Sequence, residues 1–83
     1  MTDLYRIPIR DLALRQRFGL DNHSTNRDWF SSPDDSIRIE LTYGGEGWGR
    51  LISAVVVPAE GHIYTLAPAE IPAELTRLGA LMK

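Results

Sequence analysis

The alternation of apolar and polar positions is strictest over residues 36–43. Ile37, Ile39, Leu41 and Tyr43 fall on one parity, and Arg38, Glu40 and Thr42 on the other. Successive side chains of a strand point to opposite faces, so this pattern predicts a strand with one buried and one wet face. The stretch RLISAVVV at 50–57 reads differently. Leu51, Val55 and Val57 share one parity, Ile52, Ala54 and Val56 share the other, and only Ser53 among them is polar. A strand apolar on both parities is usually central and covered on both faces. Helices, a loop or a second subunit must supply that cover, and Val56 is expected at the centre of the core.

The connection GGEGWG at 44–49 predicts a long hairpin turn, with glycine where φ is positive. It does not read as a dinucleotide loop. A G-x-G-x-x-G pattern begun at Gly45 needs glycine at position 50, where Arg50 stands, and a strand follows instead of a helix. Trp48, set among glycines, either folds back over the sheet or stands out as a binding anchor. The usual burial of Trp favours folding back.

Residues 4–10 alternate Tyr5, Ile7 and Ile9 with Arg6, Pro8 and Arg10, which predicts a strand. Pro8 has no amide hydrogen to give a ladder and assigns that strand to a sheet edge. Residues 10–18 predict a helix rich in good helix formers, with Asp11 in the first turn, Gly19 at the C-terminal stop and Leu14–Phe18 as an i, i+4 pair. A second strand competes with it, because Leu12, Leu14, Phe18 and Leu20 also share a parity. Residues 21–35 show no clear element and predict a long polar loop of the kind that is often functional or mobile. Within it, Ser24 or Thr25 followed by Asp28 resembles a capping box for one helical turn ending at Phe30, and Ser32-Pro33-Asp34-Asp35 is turn chemistry.

Beyond the hairpin, residues 58–61 predict a turn, 62–66 a third meander strand and 67–70 a break. Residues 71–82 predict a helix with Pro72 near its start, Glu74 in its first turn and an apolar stripe of Ile71, Leu75, Leu78 and Leu81 or Met82. Gly79 weakens that helix by roughly 1 kcal/mol relative to alanine, which points to close packing on the sheet. The order β-α-β-β-β-α predicts one α+β domain over residues 1–83: a four-stranded, mainly antiparallel sheet with two helices on one face.

A chain of 83 residues buries only about 60–65% of its unfolded surface, so a homodimer or another partner would add needed burial. The absence of cysteine excludes disulfides and zinc–thiolate sites and fits a reducing compartment. With no apolar run of about 18 residues and no basic-then-apolar leader, cytoplasmic residence and no membrane partner are the default expectations. No cofactor or metal is expected, since His23 and His62 are far apart in sequence and no H-x-x-x-H spacing occurs. Asp21, His23 and Ser24 offer the residue types of a nucleophile triad, but such triads are assembled in space and rarely from neighbours in one loop.

This inventory suits recognition better than catalysis, and the expected function is a non-enzymatic protein-binding module that blocks a macromolecular partner stoichiometrically. Small phage inhibitors such as anti-CRISPR proteins, immunity proteins and antitoxins share this size class, although no motif matches any of them. The expected contact residues are Arg27, Asp28, Trp29 and Phe30 in the long loop, the acidic pair Asp34 and Asp35, and Trp48 as a second anchor. Trp29 and Phe30 read equally well as a satellite core beneath the loop. Eight of the eleven acids lie in 28–83, which would suit a basic partner such as a nucleic-acid-binding enzyme. Residues 1–27 instead hold five arginines, Arg6, Arg10, Arg15, Arg17 and Arg27, against three aspartates. That imbalance supports an alternative function as a nucleic-acid-binding accessory protein.

Overall fold

The structure, a computed structural model, describes residues 4–82. Helix α1 (Arg6–Arg15) precedes five strands: β1 (Gly19–His23), β2 (Arg27–Ser31), β3 (Arg38–Gly44), β4 (Arg50–Val57) and β5 (Tyr64–Leu66). Helix α2 (Ile71–Leu81) closes the chain, and single 3₁₀ turns lie at Glu46–Trp48 and Pro68–Glu70. The strands form one antiparallel meander in the order β1-β2-β3-β4-β5. The α+β class holds, with five strands in place of four.

The extra strands come from the stretch expected to be a loop. Residues 21–35 form most of a hairpin, β1–β2, which continues the sheet beyond β3. Only Leu20 of β1 is even half-buried, and Asp21 bulges out of register between Leu20 and Asn22. An exposed, polar, bulged edge strand carries no apolar period to read, and it resists pairing with other chains. No helical turn ends at Phe30, because Asp28 and Phe30 are core-facing strand residues.

The first strand expected, 4–10, is instead the start of α1. Only Tyr5 keeps a β-bridge, to Arg50, with Arg6 N–H donating to Gly49 O and Leu51 N–H donating to Leu4 O. Pro8 is the third helical residue, where no intrahelical N–H bond is required. Ile9 and Ala13, one turn apart, face the core, while Ile7 and Leu14 face solvent. The helix stops at Arg17, not Gly19, and Asp11 lies in its middle. Arg17 takes φ 72°, its N–H donates to Leu14 O, and Phe18 N–H donates to Ala13 O. This is a Schellman stop with arginine in the left-handed position, and it drops Phe18 into the core beside Ala13.

One hydrophobic core lies between the helices and one face of the sheet. Phe30, Ile39, Leu41, Tyr43, Leu51, Ala54 and Val56 rise from the strands, and Ile71, Leu75 and Leu78 descend from α2. Val56 is 1% exposed, as the pattern predicts. A bulge alters β4: Thr42 pairs with Ser53 and Tyr43 with Leu51, leaving Ile52 unpaired. Leu51 therefore joins Ala54 and Val56 in the core, while Ile52, Val55 and Val57 turn to the opposite face. Gly79 serves the contact between helices and not the sheet, since a Cβ there would strike the Gln16 side chain at the end of α1.

Candidate functional site

The outer face of the sheet is where the expected contact residues are most nearly gathered. Register places Arg27, Thr42 and Ser53 in one row and Trp29, Glu40 and Val55 in the next. Ser31, Arg38 and Val57 form a third row. Both helices pack on the other side, so among the described residues this face carries no covering element. Ile52 is 50% exposed and Val57 39%, and Trp29 and Val55 are half-buried by their neighbours. Asp21, Trp29, Arg38, Glu40, Val55 and Val57 line a shallow depression of about 270 Å³. Arg27 Nη1 meets Glu40 Oε1 at 3.0 Å across its rim, an exposed pair that contributes little to stability but fixes two charges beside the indole. Ile52 owes its position to Gly44, where a Cβ would collide with the Ile52 Cδ1 atom.

Asp28 and Phe30 leave this surface altogether. Phe30 is core, and Asp28 is fully buried as the hub of an ionic cluster. Arg6 Nη2 and Arg10 Nη2 each donate to Asp28 Oδ1 at 2.8 Å, and the Tyr43 hydroxyl donates to Oδ2 at 2.9 Å. Burial pushes the Asp28 carboxyl up, but bonds from Arg10, Arg6 and Tyr43 outweigh it and hold the pKa below its ordinary value. Burial, with the same carboxylate as acceptor, pushes the Tyr43 phenol well up. Arg6 also donates to the carbonyls of Ser24, Thr25 and Arg27, and its guanidinium carbon lies 4.6 Å from the Tyr43 ring centroid. Two arginines on one face of α1 thus pin the β1–β2 hairpin. Asp28 is joined to its partners from 15 to 22 residues away in sequence, so no local motif announces it.

Asp34, Asp35 and Trp48 stand at opposite ends of the sheet. Asp34 Oδ1 accepts from Ser32 Oγ at 2.8 Å, Ser36 Oγ at 2.7 Å and Ser36 N–H at 3.1 Å, which ties the β2–β3 loop together. Those bonds, from the Ser36 hydroxyl first, bring the Asp34 pKa down to about 2. Trp48 ends the 3₁₀ turn at φ 54° and is 48% exposed, so it does not fold over the sheet. Gly45 and Gly47 supply the positive φ that the turn requires.

Beside Asp34 opens the larger concavity, a groove of about 650 Å³ bounded by the β2–β3 loop, the β4–β5 loop and the last turns of α2. Ile37, Leu78, Leu81 and Met82 form its apolar side. Tyr64 and Arg77 both bond Glu74, the tyrosine hydroxyl donating to Oε2. The Arg77 contacts first, together with Tyr64, hold the Glu74 pKa at about 2 against burial. The i, i+3 spacing of Glu74 and Arg77 was the only sequence signal for this cluster. Among the described residues no group of three or more His, Asp or Glu is placed to hold a metal ion, and no helix is long and apolar enough to cross a membrane. Comparison with family models, curated proteins and solved structures found no match to this chain.

Proposed function

We propose that this chain is a non-enzymatic binding module that occupies the surface of a protein partner with the outer face of its sheet. The observation that carries the reading is the uncovered sheet face, where Ile52, Val55 and Val57 of β4 and Trp29 of β2 flank Glu40, paired with Arg27, and Arg38 of β3. Aromatic and aliphatic side chains interleaved with fixed charges bring burial and register together, as protein interfaces require. A small stoichiometric inhibitor, acting in the cytoplasm on a basic enzyme of nucleic acids, is the role that fits such a surface and the acidic end of the molecule. The nucleic-acid alternative is weakened because Arg6 and Arg10 spend their charge on Asp28, leaving Arg15 and Arg17 as the exposed pair of the five arginines without an assigned acid.

The test is affinity capture from the native host with the wild-type chain and with Trp29→Ala as baits. The expected result is one protein captured in a near 1:1 ratio by the wild type and lost by the variant. Retention of that protein by a folded Trp29→Ala chain, or turnover of a substrate by the isolated domain, overturns the reading. Homodimerisation through the same face is the competing occupant. Light scattering that gives a dimer mass at micromolar concentration, abolished by Val57→Lys, would favour it.

A further inference from the structure

We propose that the groove between α2 and the two loops at the acidic end is a second docking site, which takes a cationic peptide segment of a partner protein: one bulky apolar side chain flanked by Lys or Arg. The site lies on the helical side of the sheet and does not depend on the sheet-face reading.

The floor follows from how the core ends. Ile37 and Leu78, 8% and 3% exposed, close the apolar core at this end, and the groove runs over their outer edge. Leu81, one turn beyond Leu78, is 65% exposed, and Met82 is half-buried against the core. The apolar surface on offer is thus that of Leu81 and Met82, which a side chain of Leu or Phe size can cover, and the flexible thioether of Met82 can adapt to its shape.

The walls are rigid before anything binds. On one side, Ser32 Oγ donates to Asp34 while accepting from Ile37 N–H at 3.0 Å, and Ser32 N–H donates to Ile37 O. On the other, Tyr64, Glu74 and Arg77 lock one another. Walls that are already ordered spare a ligand the cost of ordering them.

The rim chooses the charge. Arg77 is occupied twice by Glu74, so that pair is neutral as a unit. Asp34 and Glu60 remain on the lining, with His62 beside them and Asp35 next along the loop, and neither acid of the lining makes an ion pair among the described residues. Asp34 accepts from Ser32 and Ser36 on Oδ1, which leaves Oδ2 as a positioned acceptor at the rim. An ammonium or guanidinium beside an apolar anchor satisfies that acceptor and the groove together, while an acidic segment is repelled.

The experiment is a ¹⁵N-resolved NMR titration of the full chain with two capped hexapeptides. One has a single central Phe flanked by lysines, and the other has the same centre flanked by glutamates. The lysine peptide is expected to shift the amides of Ile37, Glu60, Leu78 and Leu81 and to leave Trp29 and Val55 unmoved. Its affinity should fall about tenfold in Asp34→Asn/Glu60→Gln and about tenfold in Leu81→Glu. Both sets of positions are exposed, so the fold should survive these changes, and the dispersion of the same spectra reports it. Absence of shifts, equal shifts with both peptides, or shifts confined to the sheet face each overturn the groove site. The last of these would leave the sheet-face reading standing.

Discussion

Replacing Asp28 with asparagine tests the cluster that holds the two halves of the fold together. The carboxylate receives five donor contacts, from Arg6 Nε and Nη2, Arg10 Nε and Nη2, and the Tyr43 hydroxyl. Asparagine keeps the volume and one acceptor oxygen. Its NH₂, set in the place of Oδ2, would face two guanidinium donors and remove the charge from a fully buried position. Breaking a buried ion pair from one side costs about 3–5 kcal/mol. Two features place this case at the low end. Arg6 retains three carbonyl acceptors, and the Arg10 side chain is 31% exposed and can turn to water. A loss of about 3 kcal/mol is therefore expected, out of a total of roughly 4–12 kcal/mol for a domain of this size.

The assay is thermal and urea unfolding followed by circular dichroism, with Tm at neutral pH expected to fall on the order of 12–24 °C. The pH dependence gives an independent sign. The folded pKa of Asp28 lies below the ordinary value of 3.8, so its stabilisation is complete above that value and is lost as pH falls through the folded one. Asparagine does not titrate. The gap between the two proteins should be constant through the neutral range and close below about pH 4. A Tm within about 2 °C of wild type, or a gap that widens towards acid, would refute the assignment of Asp28 as a stabilising hub.

Val56→Asp should abolish cooperative unfolding, because it puts an unpaired charge among fully buried neighbours, and a near-native melting curve would contradict the central placement of β4. Arg17→Gly should raise stability by about 0.5–1 kcal/mol in urea titration, since glycine takes the left-handed stop of α1 without the steric cost that arginine bears. Gly79→Leu should lower stability by about 1–3 kcal/mol through collision with Gln16, and Gln16→Ala should relieve part of that loss in the double variant.

The hairpin β3–β4 and helix α2 were legible because each shows its period locally: Ile37 to Tyr43 every second residue, and Ile71, Leu75 and Leu78 along one helical stripe. The start of α1 was not, because Ile7 and Ile9 alternate like a strand while Ile9 and Ala13 match a helix. The choice between them is made by Asp28, which gathers Arg6 and Arg10 onto one helical face. Strand β1 has no signal at all in Asp21, Asn22 and His23. Its backbone bonds to β2 and the clamp of Arg6 on residues 24–27 create it. The outer-face strip was present in the sequence as Ile52, Val55 and Val57, but the bulge at Ile52 that sorts them from Leu51 and Ala54 depends on register with β3. Read without that bulge, the same residues implied a covered strand and not an open one.

The most direct test of the sheet-face reading is a calorimetric titration of the captured partner against three proteins: wild type, Trp29→Ala and Arg15→Glu/Arg17→Glu, each with its unfolding curve. Trp29 is only half-buried, so its truncation should cost the fold about 1 kcal/mol or less, against about 3–5 kcal/mol for a core aromatic. The same truncation should weaken binding by about 2 kcal/mol, roughly thirtyfold, while the arginine variant binds as wild type. A folded Trp29→Ala protein that binds at full strength, with affinity lost instead in the Arg15 and Arg17 variant, would contradict the claim that the open sheet face is the binding surface.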